Sequence, residues 1–476
     1  MTVEPDWSAL RDNIRGEVVL PADPGYETVH RPAIARFQHL RPMAVVQCAV
    51  DADVAVALAF ARATGVPFAV RGGGHSFEGT SSTEGMVLDL SRMGGVSFLD
   101  AGAAANGAAT DRLVRVGAGA RLGHVYDALA PAGVTIPAGC GPAVGIGGLT
   151  LGGGLGVLGR AYGLTSDALR AARVVLGDGR IVDCDDELEP ELFWALRGGG
   201  NGTIGVVTSL VFASVPAPPM TSFHFTWEPE HLPAVLAAWQ TWAPAAPDTM
   251  AASLVVSTPA DPALMPVTSV FGAAHGTEEA DVALLEQFVD RVGEPAATQT
   301  HQRAPHRDTK RLLADIDVHG VPRRADAHAH SRSEFFAQPL GADILTGLVE
   351  LLATDRRAGE ERELDFTPWA GAYNRIPTPA TAFPHRTARF LLKQAVAVEA
   401  DASADERVAA RDWLDRSWQL THPAGTGGVY PNFPDPVLDN PARAYYGVNA
   451  DRLRDAVRAY DPDGVFGFLA GMGAAT

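Results

Sequence analysis

Apolar residues recur at helical and strand spacings through the first 215 positions. Val54, Leu58 and Ala61 fall on one face of a helix that would start with Asp51 as its cap and run through residue 63. The turn at 177–179 has the composition of a β-hairpin. The remaining elements predicted in this half are helices at 122–130 and 190–197 and strands at 66–70, 86–90, 113–116, 173–176, 180–184 and 204–212. Helices and strands mixed in this way predict an α+β half.

The middle of the chain also alternates strands with helices, after a proline cluster at 215–219 that is the best candidate domain boundary. This order suits an open, mostly antiparallel sheet backed by helices. The pattern predicts strands at 223–227, 252–257, 267–273 and 389–398 and helices at 232–242, 278–292 and 344–354.

The composition is that of a globular protein with two cores. The chain has 476 residues, of which 46% are hydrophobic and 20% are charged, and this length exceeds the usual single domain. Its formal net charge of -18 argues against nucleic acid and anionic membranes as partners. No apolar run reaches the roughly 18 residues that span a bilayer, and no secretory signal is visible. Cys48, Cys140 and Cys184 give no disulfide framework, so a cytoplasmic protein is expected.

Three consecutive glycines present a histidine after the strand predicted at 66–70. The run is Arg71-Gly72-Gly73-Gly74-His75-Ser76. Glycine permits positive φ angles and leaves the backbone bare, so this loop can lie against a flat or charged ligand while His75 offers it a nucleophilic imidazole. A Gly-rich turn whose histidine is satisfied by a backbone carbonyl would have the same sequence, and both interpretations stay open.

A second stretch, at 137–163, is also rich in glycine and other small residues. Backbone amides approach phosphates closely only where Cβ atoms are missing, so this density favours backbone laid along a long cofactor. The dinucleotide fingerprint occurs at Gly154 and again at Gly200. Neither match lies between a strand and a helix as that motif requires, so a Rossmann domain is rejected.

Further motifs accompany the two glycine loops. They are RVVLGDG at 173–179, LFWALRGGG at 192–200, Tyr445-Tyr446-Gly447 and YDPDGVF at 460–466. With them the chain resembles the FAD-linked oxidases of the berberine bridge enzyme type, within the vanillyl-alcohol oxidase superfamily, and a bacterial source is expected. The resemblance covers most of the chain and is weakest in the middle third.

The resemblance implies a fold and a cofactor. The implied fold is a PCMH-type FAD-binding domain of two α+β subdomains at 1–215, and an α+β substrate domain at 216–425 whose antiparallel sheet is backed by helices. Residues 426–476 would return to the FAD-binding domain. FAD is the implied cofactor, without a metal, and the implied partners are a small organic substrate and O2. The residues implied to contact FAD are Arg71, Gly72, Gly73, Gly74, His75, Ser76, Gly139, Cys140, Gly141, Val144, Gly145, Gly148, Gly153, Gly154, Gly156, Tyr162, Gly163, Asp167, Gly205, Val207, Tyr446 and Asn449.

Covalent attachment of the flavin is the most specific implication. In the family that the chain resembles, the histidine after the glycines is bonded to the 8-methyl carbon of the flavin, and by position this role falls on His75. Members with a second bond place a cysteine directly before Pro-Thr-Val-Gly. Here Pro142-Ala143-Val144-Gly145 follows Gly141, and Cys140 lies one residue earlier. A thioether to Cys140 and a small residue packed in the loop both stay open.

The catalytic base departs from the family pattern. Many relatives have Tyr-x-Asn-Tyr near the C-terminus, whose last tyrosine deprotonates an alcohol, whereas this chain has Tyr430-Pro431-Asn432-Phe433. Leu155 stands where some sugar-oxidising relatives have tyrosine, so a lipophilic or polyketide-like substrate is expected rather than a simple sugar. Tyr373, on a segment that resembles a pocket-lining strand, is the candidate base, with Tyr430 or Asn374 orienting the substrate. Core packing would explain each of these tyrosines at least as well.

Two function classes follow from these residues. The first is an oxidase that takes hydride from an alcohol or a secondary-metabolite intermediate and gives H2O2 from O2, with oxidative ring closure as a variant. The second is a flavoprotein that binds flavin without turnover. Five histidines between His301 and His330 are interpreted as part of a solvated loop rather than as a metal site. The oligomeric state stays open.

Overall fold

Helices and strands are mixed along the whole chain in the computed structural model, which describes residues 5–99, 112–200, 204–316 and 327–467. The strands are β1 (Glu17–Val19), β2 (Ala44–Gln47), β3 (Phe68–Arg71), β4 (Met86–Asp89), β5 (Val96–Phe98), β6 (Leu113–Gly117), β7 (Val134–Thr135), β8 (Leu169–Leu176), β9 (Ile181–Asp185), β10 (Gly205–Ala213), β11 (Val215–Pro216), β12 (Met220–Trp227), β13 (Met250–Thr258), β14 (Val267–Ala274), β15 (Thr298–Ala304), β16 (His328–Phe336), β17 (Glu360–Pro368) and β18 (Phe390–Val398). The α-helices are α1 (Trp7–Asp12), α2 (Tyr26–Val29), α3 (Asp51–Thr64), α4 (Leu122–Leu129), α5 (Ile146–Leu151), α6 (Gly159–Tyr162), α7 (Pro190–Leu196), α8 (Leu232–Trp242), α9 (Glu278–Val292), α10 (His306–Asp315), α11 (Ala342–Ala353), α12 (Ala404–Thr421), α13 (Pro441–Tyr446) and α14 (Ala450–Tyr460).

Two sheets share one hydrophobic core in the first half of the chain. The first has the order β1-β2-β4-β3, with β2, β4 and β3 parallel and β1 antiparallel at the edge. The second is antiparallel with the order β5-β6-β10-β8-β9. Val54, Ala57 and Leu58 of α3 are fully buried in the shared core. This buried stripe is the physical cause of the helical spacing seen in the sequence.

The last helices return to this first core. Ala442, Tyr446 and Leu453 are buried in it, and α14 packs on α7. The proline cluster is still tied to the first half, because Val215 pairs with Thr135 across β11 and β7. Domain bounds at 215 and 425 stay a prediction.

The middle of the chain forms one seven-stranded antiparallel sheet with the order β15-β12-β14-β13-β17-β18-β16. One face is apolar, and residues such as Phe366 and Leu392 pack there in a second core with α8, α9, α11 and α12. Alternate residues of the same strands point to the opposite face. Asp365 and Lys393 are on that opposite face, directly paired across β17 and β18.

The α+β fold, with an antiparallel sheet backed by helices, is confirmed. The helices predicted at 232–242 and 278–292 have the predicted bounds. Within the described ranges, no helix combines the length and the apolar character needed to cross a bilayer.

The predicted solvated loop between His301 and His330 is wrong for its described histidines. His301 lies on β15, His306 begins α10, and His328 and His330 lie on β16. Backbone pairing with β12 and β18 orders these segments despite their polar sequence. The fifth histidine of the stretch lies outside the described residues.

Two smaller predictions also fail. Residues 371–374 form a 3-10 turn and not a strand, because β17 ends at Pro368 and Ala370 has a φ of +82°. Asp51 is inside α3 and does not cap it. The carboxylate of Asp53 instead accepts the N–H groups of Ala49 and Val50 at 2.8 and 3.3 Å.

Candidate active site

The two glycine-rich loops touch through their backbones. The first leaves β3 after Arg71, and the second precedes α5. A Cβ on Gly73 would lie 2.3 Å from the amide nitrogen of Gly145, and a Cβ on Gly145 would lie 2.3 Å from the amide nitrogen of Gly73. Gly74 has a φ of +74°, a conformation that disfavours side chains. Backbone alone therefore forms this junction, and only glycine fits it.

The Arg71 side chain is bonded to protein groups. It is 4% exposed and donates to the carbonyl oxygens of Val29 at 2.8 Å and Ser81 at 3.0 Å and to the hydroxyl of Ser82 at 3.0 Å. These hydrogen bonds fix the start of the histidine loop and occupy the guanidinium group. The predicted contact between Arg71 and FAD would therefore be made by the backbone of this residue. Gly72, which follows it, continues the loop toward Gly73.

Ser76 closes the end of the same loop. Its hydroxyl lies 2.8 Å from the hydroxyl of Thr80 and accepts the N–H of that residue at 3.1 Å. The loop is thus fixed on both sides of His75.

One ring nitrogen of His75 has no partner. Its Nε2 atom is buried and makes no hydrogen bond with the described residues. Burial, followed by the charge of Arg121, lowers the pKa of His75 below its usual value, and a hydrogen bond with the backbone of Ala143 opposes the shift. The imidazole is therefore neutral near neutral pH, the form in which it acts as a nucleophile.

The second glycine stretch folds tightly around α5. Gly153 and Gly154 have φ angles of +110° and +88°, and a Cβ on Gly156 would lie 2.0 Å from the carbonyl oxygen of Ala138. The predicted FAD contacts located before or within α5 are Gly139, Cys140, Gly141, Val144, Gly145 and Gly148, and those after it are Gly153, Gly154, Gly156, Tyr162 and Gly163. This stretch supplies bare backbone beside the histidine loop, as the sequence predicted.

Asp167 has a protein partner in place of a ligand. Its carboxylate accepts two hydrogen bonds from Arg386 at 2.7 and 2.8 Å, and both side chains are almost completely buried. Since both carboxylate oxygens are engaged, a direct role for Asp167 in binding FAD stays a prediction that this geometry does not favour.

Asn449 also binds protein groups. Its amide nitrogen donates to the carbonyl oxygens of Thr378 and Thr381 at 2.8 and 3.0 Å. Tyr446 is buried in the first core. The two remaining predicted contacts on β10 are Gly205 and Val207.

Tyr373 is anchored to the second glycine stretch. Its hydroxyl donates to the carbonyl oxygen of Gly156 at 3.0 Å and accepts the N–H of the same residue at 3.2 Å. The ring stacks on Trp369 at 4.3 Å between centroids, and the side chain is 1% exposed. Burial raises the pKa of Tyr373, so the phenol is neutral and already bonded. Its role as the base stays a prediction that this environment does not favour.

Tyr430 is bonded in a similar way. Its hydroxyl accepts the N–H groups of Gly154 and Leu155, both at 3.0 Å, and the amide of Asn432 at 3.1 Å. Burial raises the pKa of Tyr430, although these three bonds lower it. Like Tyr373, it therefore joins the region of the seven-stranded sheet to the second glycine stretch.

Sequence reasoning missed the two lysines, Lys310 and Lys393, which are the only lysines in the chain. The charge of Lys393 lies between two carboxylates, 3.0 Å from Glu363 and 3.3 Å from Asp365. Its ammonium also lies 5.3 Å from the ring centroid of Phe433. The scarcity of lysine in an arginine-rich chain is a signal that could have found both residues, because the two side chains differ in shape and chemistry.

The polar face of the seven-stranded sheet, which contains Asp365 and Lys393, meets the histidine loop through aromatic rings. Phe433 lies 5.8 Å from Phe77 and 5.1 Å from Tyr430, measured between ring centroids. Phe77 comes two residues after His75 and is 37% exposed. The arrangement places an apolar surface beside the Lys393 cluster, at the edge of the glycine loops.

Lys310 contacts the beginning of the second glycine stretch. It is 2% exposed, and its ammonium donates to the carbonyl oxygens of Ala138 at 2.5 Å and Gly139 at 3.3 Å. It also lies 5.0 Å from the ring centroid of Tyr126. Helix α10 of the middle region thus contacts the loop that contains Cys140.

A metal centre is not evident in this region. Across the described ranges, no three His, Cys, Asp or Glu side chains come close enough together to hold a metal ion.

Comparisons with known proteins agree on one family. Residues 42–185 match the family described as FAD binding domain, and residues 429–472 match the family described as berberine and berberine like. Two uncharacterised FAD-linked oxidoreductases of Bacillus subtilis, YgaK and YvdP, are 30% and 32% identical to this chain. Each alignment covers 96% of this chain and 97% of the relative.

Two solved structures share the fold. The BBE-like 1 protein of Physcomitrella patens has a TM-score of 0.83 and 24% identity, covering 98% of this chain and 99% of its own. The glucooligosaccharide oxidase of Acremonium strictum has a TM-score of 0.83 and 22% identity, covering 97% and 98%. That oxidase contains a 6-S-cysteinyl, 8α-N1-histidyl FAD.

Proposed function

Because this chain belongs to the FAD-linked oxidoreductases of the berberine bridge enzyme type, we propose that His75 holds its FAD covalently and that the polar sheet face binds the substrate. The family is enzymatic and uses FAD. Of the two function classes, an oxidoreductase is therefore preferred to a flavoprotein that binds flavin without turnover. The single observation that supports the proposal most is the buried, unpartnered Nε2 of His75 beside the all-glycine junction.

The residues at the junction fit FAD. The backbones of Gly73 and Gly145 leave no space for side chains between the two loops, and the unpartnered imidazole of His75 lies in the same loop. Gly153 and Gly154 extend the bare surface along the second stretch. These loops would hold the cofactor, which when bound supplies an acceptor for hydride taken from the substrate.

Oxidation of an alcohol needs a base that accepts the hydroxyl proton, and we assign this role to Asp365. Both candidate tyrosines have raised pKa values and bonded hydroxyls, whereas Asp365 is paired with the Lys393 ammonium. The Asp365 side chain is 22% exposed and that of Glu363 is 5% exposed. Asp365 is thus the carboxylate that a substrate can reach, while Lys393 and Glu363 fix its orientation.

The walls of this region favour a lipophilic alcohol as substrate. Phe77 and Phe433 form the aromatic surface, and Leu155 follows the second glycine triplet. Asp365 and Lys393 would bind the reacting hydroxyl. O2 is proposed as the final electron acceptor, giving H2O2. Oxidative ring closure would begin with the same hydride transfer, after which the oxidised substrate would form a ring.

The experiment that tests this function is anaerobic mixing of the holoenzyme with a panel of aromatic alcohols, aliphatic alcohols and oligosaccharides. Loss of the flavin absorbance with a lipophilic alcohol, followed by stoichiometric H2O2 on admission of O2, is the expected result. Reduction by oligosaccharides alone would contradict the proposed substrate class. Reduction without H2O2 would contradict O2 as the acceptor.

Replacing Gly73 with alanine is expected to lower the flavin content of the purified protein at least tenfold. The new methyl group would lie 2.3 Å from the backbone of Gly145, so the two loops would have to separate. The measurement is the ratio of flavin to protein absorbance. Gly95→Ala is the matched control, since no atom lies within 4 Å of a Cβ at that position. Equal flavin content in the two variants would refute the importance of the junction.

We also propose the cytoplasm as the compartment of this protein. The three cysteines all lie in the described ranges and form no disulfide, and Cys48 and Cys184 are buried, a usage typical of reducing compartments. Immunodetection after fractionation of the native cells tests this assignment, and recovery outside the cytoplasm would contradict it.

A further inference from the structure

Arg332 of β16 forms a buried ion pair that the proposed reaction does not use. Its side chain is 9% exposed, and its Nε donates to the carboxylate of Asp435 at 2.8 Å. The Asp435 side chain is 1% exposed. The same guanidinium donates to Asp415 of α12 at 2.9 Å and lies 3.8 Å from the ring centroid of Trp418. Because removal of one member of a buried pair leaves an uncompensated charge, the positions of Arg332 and Asp435 are strongly coupled.

The C-terminal segment that ends at Asp435 lies along the outer edge of β16, the last strand of the seven-stranded sheet. The N–H of Phe335 donates to the carbonyl oxygen of Gly428 at 2.9 Å. Farther along the segment, the N–H of Tyr430 donates to the hydroxyl of Ser333 at 3.4 Å. Asp435 is the next residue of the segment that β16 holds through a side chain. The backbone between Tyr430 and Asp435 is therefore anchored to β16 at both ends.

Phe433 lies between these two anchors, and its ring is on the polar face of the sheet. The ring centroid is 5.3 Å from the ammonium of Lys393, which is on that face and pairs across the strands with Ser333. Arg332, the neighbour of Ser333, is on the opposite face, where it contacts α12. The segment thus passes around the edge of the sheet, with Phe433 on one side and Asp435 on the other.

The ring of Phe433 affects the charge pair to which we assign substrate binding. An aromatic ring beside an ammonium attracts the charge and replaces water next to it. The Lys393 side chain is 16% exposed, and its ammonium lies 3.3 Å from the Asp365 carboxylate. Less water strengthens the attraction between these two groups. Displacement of the ring would therefore expose Lys393 and loosen the orientation of Asp365.

We propose that Arg332 is a positioning residue for the substrate site, because its ion pair with Asp435 holds the ring of Phe433 against Lys393. This inference rests on the proposed function, in which Lys393 and Asp365 bind the reacting hydroxyl. Arg332 does not contact the substrate itself, since its guanidinium is bonded on the opposite face of the sheet. It acts through the segment and sets the place of the aromatic wall.

The test measures how fast Lys393 of the holoenzyme is acetylated by succinimidyl acetate, by peptide mass mapping. The chain has only two lysines, and Lys310, which is 2% exposed, is the internal reference for a folded protein. Arg332→Met is expected to raise the rate at Lys393 about tenfold, because loss of the buried pair frees the segment. Asp415→Asn is the matched control. It removes the other carboxylate partner of Arg332, which is 47% exposed on α12, and should leave the rate at Lys393 unchanged.

Asp435→Asn provides a second arm if Arg332→Met fails to fold, which faster acetylation of Lys310 would reveal. The two oxygens of Asp435 accept hydrogen bonds from Arg332 and from the N–H of Val437 at 3.0 Å. An amide has one acceptor oxygen, so one of these bonds must break. We expect faster acetylation of Lys393 with that of Lys310 unchanged. An unchanged rate at Lys393 in a folded Arg332→Met or Asp435→Asn variant would overturn the positioning role.

A double variant shows whether Arg332 acts through the ring. Phe433→Ala removes the ring and is expected to raise the rate at Lys393 by itself. Adding Arg332→Met should then give no further increase, since two changes on one path are not additive. An independent increase in the double variant would contradict the proposal. Acetylation needs no substrate, so failure of every alcohol to bleach the flavin would contradict the proposed function and leave this result interpretable.

Discussion

The His75→Ala variant is expected to release all of its flavin on denaturation when Cys140 is also replaced by alanine. The wild-type polypeptide should keep flavin fluorescence in a denaturing gel, since a bond from the imidazole survives loss of the fold. The structural reason is that the neutral ring has an unpartnered, buried nitrogen at the junction of the two glycine loops. Flavin-bound and flavin-free bands differ completely in fluorescence, so this is the largest effect expected in this protein.

His124→Ala is the matched control, because its imidazole is exposed on α4 and its removal should leave the fluorescent band unchanged. A wild-type band without flavin would refute covalent attachment altogether. Flavin retained by His75→Ala in a protein that also lacks Cys140 would place the bond on another residue.

Asp365→Asn is expected to slow reduction of the flavin by substrate by about 10²- to 10⁴-fold, the usual cost of removing a positioned general base. The amide keeps the shape of the side chain but accepts a proton poorly, and the ion pair with Lys393 at 3.3 Å is lost. The measurement is the rate of flavin bleaching in anaerobic stopped flow. Covalent flavin content should stay at the wild-type level, since Asp365 lies on the sheet and outside the glycine loops.

Two controls accompany this variant. Glu360→Gln breaks a buried pair with Arg362, 2.6 Å long, on the opposite face of the same strand, so it should lower the thermal stability without slowing flavin reduction. Tyr373→Phe tests the base inferred from the sequence. If Tyr373→Phe gives the large decrease in rate and Asp365→Asn does not, the assignment to Asp365 is wrong and the tyrosine is the base.

Local sequence patterns were sufficient for the regular elements and for the cofactor loops. Helices α8 and α9 begin and end where the apolar spacing predicted, because each buries one continuous stripe. The junction of Gly73 with Gly145 follows from glycine itself, since no other residue fits the close approach of the two backbones. The family and the α+β fold, both predicted from these motifs, are confirmed. The individual site residues stay predictions.

Local patterns failed where polar residues are ordered by distant partners. Strands β15 and β16 have sequences typical of a solvated loop, and only pairing with β12 and β18 makes them strands. Tyr373 also depends on a distant partner, because the hydrogen bonds of its hydroxyl join it to Gly156, more than 200 positions away in the chain. A single sequence does not show that such a phenol is already bonded.

The sequence by itself thus determined the loops that can hold the flavin and the histidine offered to it. Both depend on properties of consecutive residues, namely missing side chains and one imidazole at a fixed position. The tertiary structure alone decided which partners the charged side chains contact. Antiparallel register pairs Asp365 with Lys393, and the packing of α10 brings Lys310 to the carbonyl oxygens before Cys140. Such contacts depend on strand register and helix docking, which are set by the burial of both cores as a whole. The spacing of neighbouring residues in the sequence therefore does not predict them.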